Sequence, residues 1–225
     1  MFRPRAGTSN HVREVVDRLA EAHGELPWRR RHDPVSELVT TILSHSTTDA
    51  NQFAAFDELR RRFPSWEEVR EAPAEEVMDA VRVAGMPSQK GPRVQRALEI
   101  VAEDGRGEDL EWLGQVPVGE AMEFLTSIPG VGPKTAACVL CFCFNRHVLP
   151  VDTHVHRIAL RTHMVPPGTD AVSAQERLTR AVPDGQAYSA HMRLIAHGRA
   201  ICRARSPRCE QCPLLDICPH GRAAV

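Results

Sequence analysis

Ile128-Pro129-Gly130-Val131-Gly132-Pro133-Lys134-Thr135-Ala136 joins the end of one apolar helix to the start of another through Pro-Gly-Val-Gly. That order spells a tight helical hairpin. The glycines allow backbone angles that other residues resist, and they let a second backbone come close. The second helix, running from about Pro133 to Phe144, begins with unbonded N–H groups that point outward, a ready site for a phosphate. Gly130, Val131, Gly132 and Thr135 are therefore candidate contacts to a nucleic-acid backbone, gripping it without reading sequence. Lys134 lies in the first turn of that helix. The positive helix end and partial burial both disfavour a second positive charge there, which favours a neutral, nucleophilic amine. Two readings of Lys134 stand: a phosphate clamp, or a nucleophile.

Outward from the hairpin, the periodicity is helical. Val12, Val15, Val16 and Leu19 share one face, with Gly24 as a stop. Pro34 opens a helix carrying Val35, Leu38, Val39 and Ile42. Asp49 is placed to cap a third, with Phe53, Phe56 and Leu59 on one face. Ser65 with Glu68 forms a capping box. Gly85 ends a helix holding Val77, Val81 and Val83; Val94, Leu98 and Val101 mark the next, and Met122 and Leu125 one that stops at Pro129. Later helices start near Asp152, Ser173 and Gln186. No alternating strand pattern is present, so the chain is predicted to be an all-α globule with breaks near Pro27 and around 146–150.

Eighteen residues beyond Lys134 stands Val151-Asp152-Thr153-His154-Val155-His156-Arg157. Asp152 sits at a predicted helix N-cap, where free N–H groups and the dipole favour a carboxylate. It either caps the helix and no more, or supplies a fixed negative charge that takes a proton from Lys134 or stabilises a sugar cation. His154 and His156, one turn in, read equally as surface or satisfied core residues. Near the C-terminus Cys202, Cys209, Cys212 and Cys218 are spaced C-x6-C-x2-C-x5-C. Four thiolates so close bind zinc or an iron–sulfur cluster. Structural zinc favours two C-x2-C knuckles, and only Cys209 and Cys212 are so paired, so the spacing leans to a [4Fe–4S] cluster. Arg203, Arg205 and Arg208 fall in its first loop, either as phosphate contacts or as charges that balance the thiolates. Cys138, Cys141 and Cys143 lie on an apolar helix without sharing one face and read as core packing.

The chain of 225 residues is 42% apolar and 25% charged, which excludes collagen-like, disordered and coiled-coil classes. Seven cysteines form no even secretory framework, and Met1-Phe2-Arg3-Pro4-Arg5 has no apolar stretch behind it. The longest apolar run, 136–144, falls far short of a membrane span. A cytoplasmic, nucleoid-associated protein is expected. A net charge of -1 means that any DNA-binding patch is local.

The hairpin, the aspartate and the four-cysteine spacing, in this order, resemble the endonuclease III family of DNA glycosylases, and the resemblance spans nearly the whole chain. It implies a two-domain helix-hairpin-helix DNA glycosylase fold with an iron–sulfur cluster loop. A six-helix barrel would take 27–146, and a cluster domain 1–26 with 147–225. It matches Lys134 to the lysine nucleophile, Asp152 to the essential aspartate and the four cysteines to the [4Fe–4S] ligands. The implied partner is double-stranded DNA with damaged pyrimidines or abasic sites, bound by a monomer. The implied activity is removal of oxidised pyrimidines followed by β-elimination through a lysine Schiff base. His45 and Ser46 fall in the segment that fills the gap left by a flipped base, with Ser46 where glutamine is common. Met86 stands where the family has a wedge leucine, and Pro133 where a basic residue is frequent. These departures predict weaker or narrower activity. The alternatives are a monofunctional mismatch glycosylase, whose relatives lack a lysine at this position, and a non-catalytic cluster-bearing DNA-binding module, which has no need of both Lys134 and Asp152.

Overall fold

The structure, a computed structural model, describes residues 8–225; Met1-Phe2-Arg3-Pro4-Arg5 lies outside the described residues. The order of α-helices is α1 (Ser9–His23), α2 (Pro34–Leu43), α3 (Asp49–Arg62), α4 (Trp66–Glu71), α5 (Ala74–Ala80), α6 (Pro87–Glu103), α7 (Val118–Ser127), α8 (Pro133–Phe144), α9 (Thr153–Arg161), α10 (Ala171–Ala181), α11 (Ala187–Ala200) and α12 (Pro219–Ala224). Short 3-10 turns cover Arg82–Ala84, Glu111–Gly114 and Cys209–Gln211. Among the described residues there is no strand, so the fold is all-α. The chain divides into two compact units: Arg30–Phe144, and the N-terminal residues up to Arg29 with Asn145–Val225.

In the Arg30–Phe144 unit, α2 and α8 pack directly on each other. Every residue of α2 is buried, as are Thr135 to Cys141 and Cys143 of α8. A helix that is apolar all round belongs in a core. This is why Cys138, Cys141 and Cys143 need no common face: each side of α8 meets protein. Burial pushes the Cys141 and Cys143 thiols well above their ordinary range, which keeps them protonated and inert. Each fully buried leucine here, such as Leu38 or Leu140, contributes about 1.5–3 kcal/mol relative to exposure. Helix α6 lies against α2, α4 and α5. It approaches α5 so closely at Gly91 that a Cβ there would stand 2.8 Å from Met78 Cγ and 3.2 Å from the Met78 backbone nitrogen.

Local signals place most helix ends, and where they mislead the cause is visible. Ser65 caps α4 as the box requires, its Oγ accepting from the Glu68 N–H at 3.1 Å. The cap of α3 is Thr48, whose side chain accepts from Asn51 N–H at 3.3 Å, and Asp49 is the first helical residue. The buried face of α3 is correspondingly Gln52, Ala55 and Leu59, while Phe53 is exposed beneath the Arg31 guanidinium, 5.4 Å from the ring centroid. Val83 also faces solvent, because α5 stops at Ala80 and a tighter 3-10 turn rotates the chain.

In the other unit, α1 packs on α10 and α11, and α9 on α11. Helix α10 starts at Ala171, two residues before Ser173, because Asp170 wins the cap: one carboxylate oxygen accepts from Val172 and Ser173 N–H groups at 2.9 and 3.0 Å. Ser173 instead donates its hydroxyl to the same carboxylate at 2.8 Å. An aspartate that reaches two N–H groups outcompetes a hydroxyl that reaches one.

Candidate functional site

The hairpin forms between α7 and α8. Ile128 ends α7, and the Val131 N–H returns to the Ile128 carbonyl at 3.0 Å. Gly130 has φ +86°, a backbone L-residues resist. Its missing side chain also leaves room for Arg93, whose Cδ would lie 3.0 Å from a Cβ at that position. Lys134 follows Pro133 in the first turn of α8, half-buried. Val131 and Thr135 are 4% and 2% exposed, so their side chains belong to the core. Gly130 is exposed and Gly132 half-buried.

Thr135 has a different task. Its hydroxyl lies 3.2 Å from His45 Nε2, which ties the hairpin helix to the loop after α2. Burial lowers the basicity of His45, and the cations of Lys134, Lys90 and Arg93 lower it further. A folded value below the ordinary 6.5 means that protonation favours the unfolded chain, so this contribution to stability is lost as pH falls below the unfolded value. An NMR titration is expected to place His45 below 6.5, and Lys134→Gln is expected to move its midpoint upward, since one of the opposing charges is gone. An unmoved midpoint would remove Lys134 from the surroundings of His45.

Beside this loop, Ser46 is exposed with φ +52°, and Met86 is exposed with φ +51° at the cap of α6. Neither is glycine, so both backbones are held in sparsely populated conformations.

Asp152 belongs to the other unit. It caps α9, its carboxylate accepting from the Val155 N–H at 2.8 Å. The approach to it is fixed from α10 and α11: the Leu149 N–H donates to Thr179 Oγ1 at 3.1 Å, and His191 Nδ1 donates to the Pro150 carbonyl at 2.9 Å. His156 Nε2 donates to the Thr169 carbonyl at 2.8 Å, so it is a satisfied structural residue. His154 is half-buried against Gly198, its Nδ1 3.0 Å from Arg157 Nη2.

Two arginines on successive turns of α9 hold the cysteine loop. Arg157 donates to the Cys202 carbonyl at 3.0 and 2.9 Å and to the Gly198 carbonyl at 3.0 Å. Arg161 donates to the Arg203 and Ala204 carbonyls at 2.7 and 3.0 Å and lies 3.4 Å from Cys202 Sγ. From α1, Arg18 reaches Asp216 at 2.5 Å. The thiols are served as well: the Gly221 N–H donates to Cys218 Sγ at 3.3 Å, and Cys212 Sγ lies 3.6 Å from His197 Nε2.

Burial raises the Cys212 thiol to about 11, and nearby Cys218, Cys202 and Cys209 add to the rise. Among the described residues no three His, Cys, Asp or Glu side chains are set to hold a single ion. Four cysteines within one short stretch, with N–H donors at Cys202 and Cys218, fit a larger, multi-iron group. Arg203, Arg205 and Arg208 are exposed along the first loop.

Sequence reading missed Lys90, Arg93, Arg157 and Arg161. Lys90 had a signal: it continues the apolar stripe of Val94, Leu98 and Val101 one turn backward, where a lysine on a buried face is anomalous.

The HhH-GPD superfamily of base excision DNA repair proteins matches residues 39–184, and the iron–sulfur binding domain of endonuclease III matches residues 202–218. The latter identifies the cofactor of the cysteine loop as an iron–sulfur cluster of the [4Fe–4S] type. The chain is 33% identical to endonuclease III of Thermotoga maritima over 94% of its own length and 92% of the relative's. A solved non-covalent endonuclease III–DNA complex matches with a TM-score of 0.81 at 28% identity, covering 96% of this chain and 98% of that one. A trapped endonuclease III–DNA covalent intermediate matches with a TM-score of 0.81 at 26% identity, over 96% and 98%.

Proposed function

This chain belongs to the HhH-GPD superfamily of base excision DNA repair proteins, and we propose that its substrate is duplex DNA carrying an oxidised pyrimidine or an abasic site. It is a bifunctional DNA glycosylase and abasic-site lyase. The observation that carries the assignment of chemistry to residues is Lys134, an amine in the first turn of α8 directly behind a glycine hairpin.

In this reading the damaged nucleotide is extruded from the duplex. Lys134 Nζ attacks C1′, and the bond to the base breaks with its electron pair leaving on the base. The resulting amine adduct opens the sugar to a Schiff base. Loss of a C2′ proton then expels the 3′ phosphate, which nicks the strand. Asp152 accepts the proton that Lys134 must lose and stabilises the cationic sugar. Gly130 and Gly132 bring hairpin backbone to a phosphate, and Arg203, Arg205 and Arg208 add charge along the cluster loop. Cys202, Cys209, Cys212 and Cys218 would hold the cluster, which when bound pins that loop by its iron–thiolate bonds. The protein acts as a monomer on DNA, in the cytoplasm, with a barrel domain at 27–146 and a cluster domain made of 1–26 and 147–225.

The substrate test is borohydride trapping on three duplexes: one abasic site, one oxidised thymine and one mismatched thymine. Covalent adduct with the first two and none with the mismatch is expected. Adduct at the abasic site alone would replace this reading with a lyase that has lost its base pocket.

A further inference from the structure

Lys90 is 1% exposed. An ammonium so deep needs partners, and it has two from distant parts of the chain: Nζ donates to the Leu43 carbonyl at 2.8 Å and to the Ala84 carbonyl at 2.7 Å. Leu43 is the last residue of α2, and Ala84 the last of the 3-10 turn before α6. Both carbonyls are therefore groups that a helix end leaves unbonded, carrying the partial negative charge of a C-terminus.

Each carbonyl leads within three residues to one of the two strained tips, Ser46 at φ +52° and Met86 at φ +51°. Such backbone persists only where its surroundings fix it. A single buried cation thus anchors the roots of both exposed segments. Arg93, one turn further along α6, lies over Gly130 of the hairpin.

We propose that Lys90 is a positioning residue for base extrusion, locking the Ser46 loop and the Met86 turn into one rigid probe that enters a duplex as a unit. The proposal rests on the reading of this chain as a glycosylase that opens duplex DNA. A lysine that merely stapled the core would, when removed, depress all activities together. A positioning lysine separates them, because extrusion of a paired base needs the probe far more than reaction at a site that has already lost its base.

The test compares wild type with Lys90→Met, which keeps an unbranched apolar stem and removes every donor. Single-turnover excision of an oxidised thymine is expected to fall by about 30-fold or more, with trapping on an abasic-site duplex changed by less than about 3-fold. Equal losses on both substrates, or no loss on either, would overturn it. A wild-type protein inactive on both duplexes would instead bring down the glycosylase reading, and the proposal with it. Should the variant not fold, wild-type hydrogen exchange decides. Amides of 44–48 and 84–86 are expected to open at rates within about 3-fold of each other, and rates more than about 10-fold apart would show that the two segments move independently.

Discussion

Lys134→Gln is expected to lose the borohydride-stable adduct with abasic-site DNA altogether, with strand cleavage reduced at least about 1,000-fold. Glutamine keeps much of the stem and none of the nucleophilicity. Its amide cannot form a Schiff base, so no partial chemistry survives through that route. The fold is expected to be indifferent. Lys134 is half-buried at a helix start, next to Pro133, whose ring sets the first helical residue. Thermal unfolding of the variant should stay within about 0.5 kcal/mol of wild type, as for surface substitutions away from special features. DNA binding should weaken only modestly, since a backbone contact of this kind is one among several. An adduct that persisted in the variant would move the nucleophile to another amine. A variant that bound DNA much more weakly and had lost no chemistry would restore the phosphate-clamp reading.

The second large effect is expected at Cys212. Cys212→Ser removes one of the four thiols from a loop with little regular structure beyond the 3-10 turn Cys209–Gln211. The iron–sulfur absorbance of the purified protein should fall to near zero or become unstable to oxygen. Cys138→Ala, in the buried face of α8, should leave that absorbance intact, which makes the comparison specific. Stability should drop by at least about 3 kcal/mol, because a bound metal group contributes its binding energy to folding. For a chain of this size that corresponds to a fall in Tm of roughly 6–12 °C.

The loss should also reach beyond the loop. Arg157 and Arg161 of α9 bond to carbonyls at 202, 203 and 204, and Asp152 caps the same helix. A loosened loop therefore frees the helix that carries the candidate carboxylate, and activity should fall with the absorbance. Full absorbance in the serine variant would mean that Cys212 is not a ligand.

Much of the fold lay in plain view along the chain. Val12, Val15, Val16 and Leu19 marked the buried face of α1, and all four are buried. Pro34, the capping pair Ser65 and Glu68, and the Asp152 cap sit where local rules put them. These signals act between residues one to four apart, the range over which a helix satisfies its own N–H groups and aligns its side chains. The chemistry-bearing groups were visible for another reason. A lysine behind a glycine turn and four cysteines in 17 residues are recognisable by type and spacing alone, before any distance is known.

Competition and juxtaposition were not visible. Ser173 and Asp170 are both good caps, and only the folded backbone shows that Asp170 takes two N–H groups. Phe53 looked like core, yet it lies outside under Arg31, because packing turns the Gln52, Ala55 and Leu59 face of α3 inward. Thr135 gave no sign of its contact with His45, 90 residues away along the chain. Lys90 is the clearest case. Its meaning depends on two carbonyls, one of them 47 residues away. What the sequence determined by itself was the helices, their caps and the inventory of reactive side chains, since each depends on neighbours along the chain. What only the tertiary structure decided was which helix ends meet which charge, because an unbonded carbonyl at a helix terminus finds its partner through packing, at separations that no local pattern encodes.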